Sequence, residues 1–398
     1  MKLLVFAHRL ELGGTQINAI DLAAFLRDRR GVDVTVHATE GPALELLRAR
    51  GLPFIPAPDV RLHPSPARIR ALRDTVCRVR PDIIQAWDWW QGLEAYCGVH
   101  LPEGVPLVIT DMMMHLTRAM PRGVPTTFGF EGLRRQAEAA GWSRTALLPP
   151  PVDTEANAPG ASDGAALRRR LNVGGDAVLL VSVSRLSEYM KSESIKRTIE
   201  VVRELGDTLP LTYLIVGDGA AMPRIRETAG RANAALGREA ISLAGAMTDP
   251  RPAYAAADIV LGMGGSSLRG LAFGKPVVVT GEAGFARLFS PETAEGFIET
   301  GMFGHGAGGA DNAALSGPIR ALARSPDLRT ALGAFGREFV VANHGIEVVG
   351  DTLLRVCRAA VGYRPGRVAL TADAARTAYF YLRERRFRVA SRDAVERG

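Results

Sequence analysis

The 398-residue chain has few cysteines, few aromatic residues and no long apolar run. Its three cysteines, Cys77, Cys97 and Cys357, show no paired spacing, which argues against a disulfide framework or a zinc site and favours the reducing cytoplasm. No apolar run approaches the ~20 residues that span a bilayer. The N-terminal stretch MKLLVFAHRLELGG lacks the long apolar region of a signal peptide, so we expect a first strand there.

The chain carries 49 Lys and Arg against 42 Asp and Glu, a formal charge of +7. These basic residues are scattered and are not interleaved with aromatic residues, so we expect no nucleic-acid partner. The helix predicted over 66–80 is rich in arginine, so contact with a membrane surface stays open as an alternative, which we do not favour. The apolar fraction of 47% is typical of a folded globular protein.

Short apolar segments alternate with helical patterns along most of the chain, which is typical of βαβ units and parallel sheets. Three prolines, Pro149–Pro151, precede a stretch rich in Ala, Asn, Pro, Gly and Ser, which predicts a linker. We therefore predict an α/β protein with two Rossmann-like, doubly wound domains that face each other across a cleft. The predicted boundaries are 1–150 for the first domain, 151–164 for the linker, 165–345 for the second domain, and 346–398 for C-terminal helices that pack back toward the N-terminal domain.

Two cationic residues, Arg185 and Lys191, follow the strand predicted over 178–183. Ligands of open α/β sheets bind at the carboxyl ends of the strands, so this loop is a candidate site. An arginine fork and a compact lysine charge suit the oxygens of one phosphate group. The alternative is two solvated surface cations.

Two glycine-rich turns follow later strands of the second half. Gly217 and Gly219 bracket Asp218 after the strand over 211–216, although a lone Gly-x-Gly is often an ordinary turn. The segment 262–267 opens a predicted helix, whose free N–H groups favour anions. Because the chain has no P-loop pattern and no GxGxxG after its first strand, we expect the phosphate site in the second half.

In this order and spacing, these motifs resemble the C-terminal domain of the family 4 (group 1) retaining glycosyltransferases. The segment from Ala256-Ala257-Asp258 to Gly274-Lys275-Pro276 resembles that family's strand, glycine loop and helix. Gly13-Gly14 resembles its N-terminal glycine loop, and Pro149–Asp153 resembles its interdomain segment. The resemblance covers the chain to about residue 360 and implies a GT-B fold, with an acceptor domain first and a donor domain second.

The resemblance implies transfer of a sugar from a nucleotide sugar, most often a UDP- or GDP-sugar, with retention of configuration. Arg185 and Lys191 would neutralise the donor diphosphate, so neither a metal nor a cofactor is expected, and the nucleotide sugar is a substrate. The leaving diphosphate would help to deprotonate the acceptor. The other residues expected at the donor are Gly13, Gly14, Gly217, Gly219, Met247, Gly262, Met263, Gly264, Ser266, Ser267, Arg269 and Glu282.

The sequence departs from the family pattern at one point. The family has two glutamates eight residues apart, and the matching positions in this chain are occupied by Leu261 and Arg269. The second glutamate normally accepts hydrogen bonds from the ribose, and arginine cannot accept any. Three interpretations stay open. Arg269 holds the ribose or a further phosphate, or it lies outside the pocket, or the chain is a homologue that binds a nucleotide and has lost transfer.

Acceptor residues are expected at two loops of the first half. Trp87, Asp88, Trp89 and Trp90 follow one predicted strand, and indole faces suit planar or sugar-like ligands, although packing against a helix is an equal alternative. Asp111 and His115 follow the next strand and are candidates to orient the substrates.

We expect a small-molecule, natural-product acceptor, such as one from an antibiotic pathway. A lipid-linked acceptor is an alternative. A sugar-nucleotide epimerase or hydrolase is another, and it would recruit carboxylates such as Asp88, Asp111 and Glu282. A homodimer also stays open.

Overall fold

The structure, a computed structural model, describes residues 1–188, 191–309 and 311–384. It divides into two compact units. Unit 1 comprises Met1–Pro151 together with 346–384, and unit 2 comprises 152–345. The last part of the predicted C-terminal helices, 385–398, lies outside the described residues.

Unit 1 is built on a seven-stranded sheet with the order β3-β2-β1-β4-β5-β6-β7. All of its pairings are parallel. Its strands are β1 (Lys2–Phe6), β2 (Asp33–Ala38), β3 (Phe54–Pro56), β4 (Ile83–Trp87), β5 (Leu107–Asp111), β6 (Thr126–Phe128) and β7 (Thr145–Leu147). Its helices are α1 (Gly14–Arg30), α2 (Leu44–Ala49), α3 (Pro66–Val79), α4 (Asp88–Ala95), α5 (Leu101–Glu103), α6 (Glu131–Ala139), α15 (Ile346–Val361) and α16 (Arg367–Glu384), with a π-helical turn over Tyr96–His100.

The central strands of this sheet are buried on both faces because helices cover both. Every residue of β4 and β5 is buried. Helix α15 packs on α1, where an added Cβ at Gly350 would lie 2.3 Å from the Phe25 ring. Arg30 donates a hydrogen bond to Asp351 across the same contact, at 2.9 Å. Because β1, β4 and β5 are adjacent and parallel, their carboxyl ends lie side by side at one edge of the sheet.

Unit 2 contains a six-stranded sheet with the order β10-β9-β8-β11-β12-β13, parallel except for the antiparallel β12–β13 pair. Its strands are β8 (Val178–Val183), β9 (Leu211–Val216), β10 (Ile241–Gly245), β11 (Ile259–Gly262), β12 (Val277–Thr280) and β13 (Ala286–Leu288). Its helices are α7 (Gly164–Arg170), α8 (Lys191–Leu205), α9 (Met222–Leu236), α10 (Arg251–Ala256), α11 (Gly265–Ala272), α12 (Pro291–Thr300), α13 (Ala313–Arg324) and α14 (Pro326–His344). Two apolar clusters, one on each face of the sheet, form its core.

Candidate functional site

Lys191 is the first residue of α8, and the loop that contains Arg185 follows β8. Burial lowers the pKa of the Lys191 ammonium, and the nearby Arg185 guanidinium lowers it further. The Lys191 side chain forms no hydrogen bond or ion pair with another residue in the described ranges. Two cations are therefore held together where water solvates one of them poorly, an arrangement that favours an anion.

A pocket in unit 2 lies at the carboxyl ends of β8, β11 and β12. Its lining comprises Ser182, Val183, Ser184, Lys191, Ser194, Ile195, Thr198, Leu261, Gly262, Met263, Ser266 and Thr280. None of these residues is acidic, so the Lys191 charge meets backbone and hydroxyl groups there. The structure thus brings together the lysine and part of the glycine loop, both of which the sequence singled out.

Gly217 and Gly219 have φ angles of +139° and +152°, which side-chain-bearing residues rarely adopt. An added Cβ at Gly217 would lie 1.8 Å from the Ser184 carbonyl oxygen. The Leu186 N–H also donates to the Asp218 carbonyl at 2.9 Å. These glycines therefore let their turn approach the loop that holds Arg185. The neighbouring loop occupies the space where a side chain would stand at each glycine, and the predicted contact of these glycines with the donor stays a prediction.

The glycine loop after β11 leads directly into α11. Gly264 has φ +55°, and its N–H donates to the Met302 carbonyl at 2.8 Å. Ser266 lines the pocket, whereas Ser267 is fully buried and its hydroxyl has no partner among the described residues. The Ser266 side chain is therefore placed to meet a ligand in this pocket, whereas the predicted role of Ser267 depends on its backbone N–H and stays a prediction.

Arg269 is half-buried on α11 and lies near Tyr254. Burial raises the pKa of Tyr254 to about 12, and the Arg269 charge opposes that rise. No described residue forms a hydrogen bond or ion pair with the Arg269 side chain. Met247, the other residue predicted near the nucleotide, is half-buried and packs on one of the apolar clusters of unit 2.

The loop after β12 is fixed by backbone hydrogen bonds to the segment that follows α12. Glu282 N–H donates to the Gly304 carbonyl, and Gly306 N–H donates to the Glu282 carbonyl. The Glu282 side chain is 37% exposed, and its Oε2 lies 3.4 Å from Nδ1 of His305. Glu282 therefore has a rigid backbone and an accessible carboxylate, and sequence reasoning missed its histidine neighbour.

Three titratable side chains meet at the carboxyl edge of the unit 1 sheet: His8 after β1, Asp88 after β4, and Asp111 at the end of β5. His8 Nε2 lies 2.8 Å from Oδ2 of Asp88, whose Oδ1 accepts the Met112 N–H at 2.7 Å. Asp88 has φ +59°, an uncommon conformation for a non-glycine residue. Burial, followed by the Asp88 charge, raises the pKa of Asp111 well above its ordinary value.

The tryptophans predicted to bind the acceptor are mostly part of the core. Trp87 is 0% exposed and Trp89 is 3% exposed, and both belong to the apolar clusters of unit 1. Trp90 is half-buried and stacks on Trp89, with 3.6 Å between the ring centroids. For Trp87 and Trp89 this placement supports the packing alternative, because Asp88 begins a helix where the sequence suggested an open loop.

His115 is exposed in the loop after β5. Gly13 caps the N-terminus of α1, and Gly14 is its first residue. No atom lies within 4 Å of an added Cβ at Gly14, so nothing in unit 1 itself requires a glycine there. Sequence reasoning missed His8, the partner of Asp88, because one histidine in an apolar N-terminal stretch carries no recognisable motif.

Two family models match separate parts of the chain. The model described as Glycosyltransferase Family 4 matches residues 12–111, and the model described as Glycosyl transferases group 1 matches residues 177–303. No curated protein matches the chain.

Several solved structures share this architecture. A glycosyltransferase from Rickettsia africae has a TM-score of 0.73 at 15% identity, over 91% of this chain and 99% of that one. Anabaena Alr3699/HepE in complex with UDP has a TM-score of 0.70 at 16% identity, over 90% and 100%. WaaG, a glycosyltransferase of lipopolysaccharide biosynthesis, has a TM-score of 0.60 at 16% identity, over 90% and 99%.

This chain is a family 4, group 1 glycosyltransferase. The GT-B fold with two Rossmann-like domains, predicted from the motifs, is confirmed. The glycosyltransferase has no helix in its described part that is long and apolar enough to cross a bilayer. Within the described ranges, no group of three or more His, Cys, Asp or Glu side chains is arranged to hold a metal ion.

Proposed function

We propose that this glycosyltransferase transfers a sugar from a UDP- or GDP-sugar to a small-molecule acceptor. The observation that carries the proposal is the pair Arg185 and Lys191 beside a pocket without acidic lining residues. A diphosphate would supply negative charge beside the Lys191 ammonium, which has no ion-pair partner among the described residues. The solved HepE complexes with UDP and with UDP-glucose support a nucleotide-sugar donor in this fold.

The two cations would act mainly on the leaving group. As the bond between the sugar C1 and the diphosphate oxygen breaks, both electrons stay on that oxygen. Fixed positive charges stabilise the oxygen most when its charge is largest, in the transition state. Lys191 and Arg185 would fill this role without a metal, and the Ser266 hydroxyl and the glycine loop would support the sugar or phosphate.

The stereochemistry and the acceptor class are also part of the proposal. Following the family resemblance, the acceptor hydroxyl attacks C1 from the face that the diphosphate leaves, and its proton passes to the leaving oxygen. The sugar then keeps its configuration. We propose a natural-product acceptor and a cytoplasmic site of action, which the unpaired Cys77, Cys97 and Cys357 support.

Arg269 and Glu282 complete the proposed donor site. Arg269 has no anionic partner among the described residues, so a ribose oxygen or a further phosphate fits it. Glu282 would accept hydrogen bonds from the sugar. The alternative, a homologue that binds a nucleotide without transfer, follows from the same arginine.

The test combines nucleotide binding with turnover. Thermal shift with UDP, GDP and dTDP measures binding, because a ligand that binds only the folded state raises the melting temperature. Transfer is measured as the release of nucleoside diphosphate from UDP-, GDP- and dTDP-glucose. The assay is run with and without EDTA and across a panel of phenols and alcohols. We expect stabilisation and acceptor-dependent release that survive EDTA, and proton NMR of the product should show retention. Binding without release across the panel would establish the non-catalytic alternative.

A further inference from the structure

Two side chains near the start of α8 are bound to two loops of unit 2. Glu193 lies two residues after Lys191, and its Oε1 accepts the Arg197 Nε–H at 2.9 Å. The other carboxylate oxygen, Oε2, accepts the Ala283 N–H at 3.0 Å, in the loop after β12. Arg197 directs its two terminal nitrogens at the segment after α12. Their acceptors are the carbonyl oxygens of Gly309 and Asp311 and the Oδ1 of Asn312, at 2.9, 3.1 and 3.3 Å.

The ion pair between these two side chains contributes little to α8 itself. Glu193 and Arg197 are four residues apart on the helix, and their side chains are 40% and 22% exposed. Exposed pairs at this spacing stabilise a helix only slightly. The remaining hydrogen bonds of both side chains leave the helix and go to the two loops. We therefore call Glu193 and Arg197 the α8 clamp.

The loop after β12 turns sharply where the α8 clamp holds it. Ala283 has φ +50° and Gly284 has φ +76°, so two consecutive residues adopt the left-handed conformation. This conformation is uncommon for alanine and persists where neighbouring groups hold it. Glu193 binds the Ala283 N–H, and an added Cβ at Gly284 would lie 3.2 Å from the Arg197 Cζ. The clamp is therefore in contact with both residues of the strained turn.

The same turn carries Glu282, the residue proposed to bind the donor sugar. The backbone of Glu282 is hydrogen-bonded to Gly304 and Gly306, and the Gly308 N–H donates to the Ala283 carbonyl at 3.0 Å. These bonds join the loop after β12 to the segment after α12. Because the α8 clamp binds both parts, it fixes the position of the Glu282 backbone relative to α8.

The α8 clamp also lies next to the pocket that contains Lys191. A second cavity, between α8 and the two loops, is lined by Arg197 and Gly284. This cavity shares Ser194 and Thr280 with the Lys191 pocket. The first two turns of α8 therefore present a cation to one pocket and the clamp to the adjoining cavity.

We propose that Glu193 and Arg197 are positioning residues that fix Glu282 for the sugar of the donor. In this role both act through the loops that they bind, and neither contacts the donor. The inference rests on the proposed function, because it concerns the sugar from which Glu282 would accept hydrogen bonds. Since Lys191 lies on the same helix, the clamp sets the distance between the diphosphate site and the sugar site. Its loss should weaken binding of the sugar more than binding of the nucleoside diphosphate.

The experiment measures dissociation constants for UDP and for UDP-glucose by calorimetry, without an acceptor, and GDP and GDP-glucose are measured in the same way. The ratio of the two constants isolates the contribution of the sugar. A loss of stability alone does not change this ratio, because both ligands bind the same folded protein. We expect Glu193→Ala to lower the affinity for the nucleotide sugar, relative to the nucleoside diphosphate, by at least about fivefold. Arg197→Ala should change the ratio in the same direction.

Two further measurements separate positioning from a general structural role. In a Glu282→Ala background, Glu193→Ala should no longer change the ratio, because the clamp acts through the Glu282 side chain. Hydrogen exchange of the Ala283 amide should be faster in Glu193→Ala, because the acceptor of its N–H is lost. If Glu193→Ala does not fold, Glu193→Gln takes its place, since it keeps the size of the side chain and removes the ion pair.

The matched control is Glu227→Ala on α9. Glu227 also pairs with an arginine four residues on, Arg231, at 2.6 Å, and both side chains are 67% exposed. This variant should keep the wild-type ratio. An unchanged ratio in Glu193→Ala, or a change that persists in the Glu282→Ala background, would overturn the inference alone. A wild-type protein that binds none of the four ligands would refute the proposed function and the inference together.

Discussion

Replacing Lys191 by methionine removes the charge from the proposed diphosphate site while keeping the length of the side chain. The native ammonium is partly desolvated, has Arg185 as a like-charged neighbour and has no counter-ion among the described residues. Its interaction with a diphosphate is therefore weakly screened. A charge-assisted contact with a bound ligand is worth about 1.5–3 kcal/mol. Removing one stabiliser of developing transition-state charge costs about 10²–10³ in kcat, or ~2.7–4 kcal/mol.

The assay is the release of nucleoside diphosphate from the best donor, with kcat and KM measured separately. We expect kcat to fall by about two to three orders of magnitude, with a smaller loss of nucleotide affinity. Lys196→Met is the matched control, because Lys196 lies on the same helix and does not line the pocket. If Lys191→Met and Lys196→Met have the same kcat, Lys191 does not act on the leaving group.

Three further predictions follow from the geometry. UDP binding should be accompanied by proton uptake at alkaline pH, because Lys191 has a lowered pKa in the free chain and an anion favours its charged form. Calorimetry in buffers of different ionisation enthalpy measures this uptake. Loss of the uptake in Lys191→Met would identify Lys191 as the group that binds the proton. Gly217→Ala should lower the free energy of unfolding by about 2 kcal/mol or more, because the new Cβ would collide with the Ser184 carbonyl and the residue has a positive φ. The control is Gly14→Ala, where the new Cβ lies in open space at the start of a helix and the free energy of unfolding should be unchanged or slightly higher. Asp111→Asn should flatten the pH dependence of the free energy of unfolding, because Asp111 has a raised pKa in the folded state. The stabilising contribution of Asp111 is complete below its unfolded pKa of about 3.9 and is lost as the pH rises through the folded pKa. Denaturant unfolding across that range measures the effect, and equal pH dependence in the two proteins would show that the carboxyl is not buried.

The second half of the chain was the easier half to predict from sequence. The elements proposed to bind phosphate are local: a cation pair after one strand and a glycine turn before a helix each occupy a few consecutive residues. The role of Gly217 shows the limit of that reasoning. A glycine is needed wherever another group approaches the backbone too closely for a side chain to fit. The sequence does not show whether that group belongs to a ligand or to the protein, and at Gly217 it is the Ser184 carbonyl.

The first half was harder because its candidate site is assembled from residues far apart in the chain. His8, Asp88 and Asp111 come together only when β1, β4 and β5 pair in that order. The sequence could not decide between the two interpretations of Trp87 and Trp89 for a related reason. Aromatic residues after a strand suit a binding loop and a buried helix start equally, and only the observed α4 distinguishes the two.

The central claim is that a nucleoside diphosphate binds where Lys191 and Arg185 converge. A crystal structure of this glycosyltransferase with UDP tests it most directly. We expect the diphosphate oxygens within hydrogen-bonding distance of the Lys191 ammonium and the Arg185 guanidinium, beside the glycine loop at Gly262–Gly264. A well-ordered UDP bound elsewhere, in contact with neither Lys191 nor Arg185, would contradict this placement.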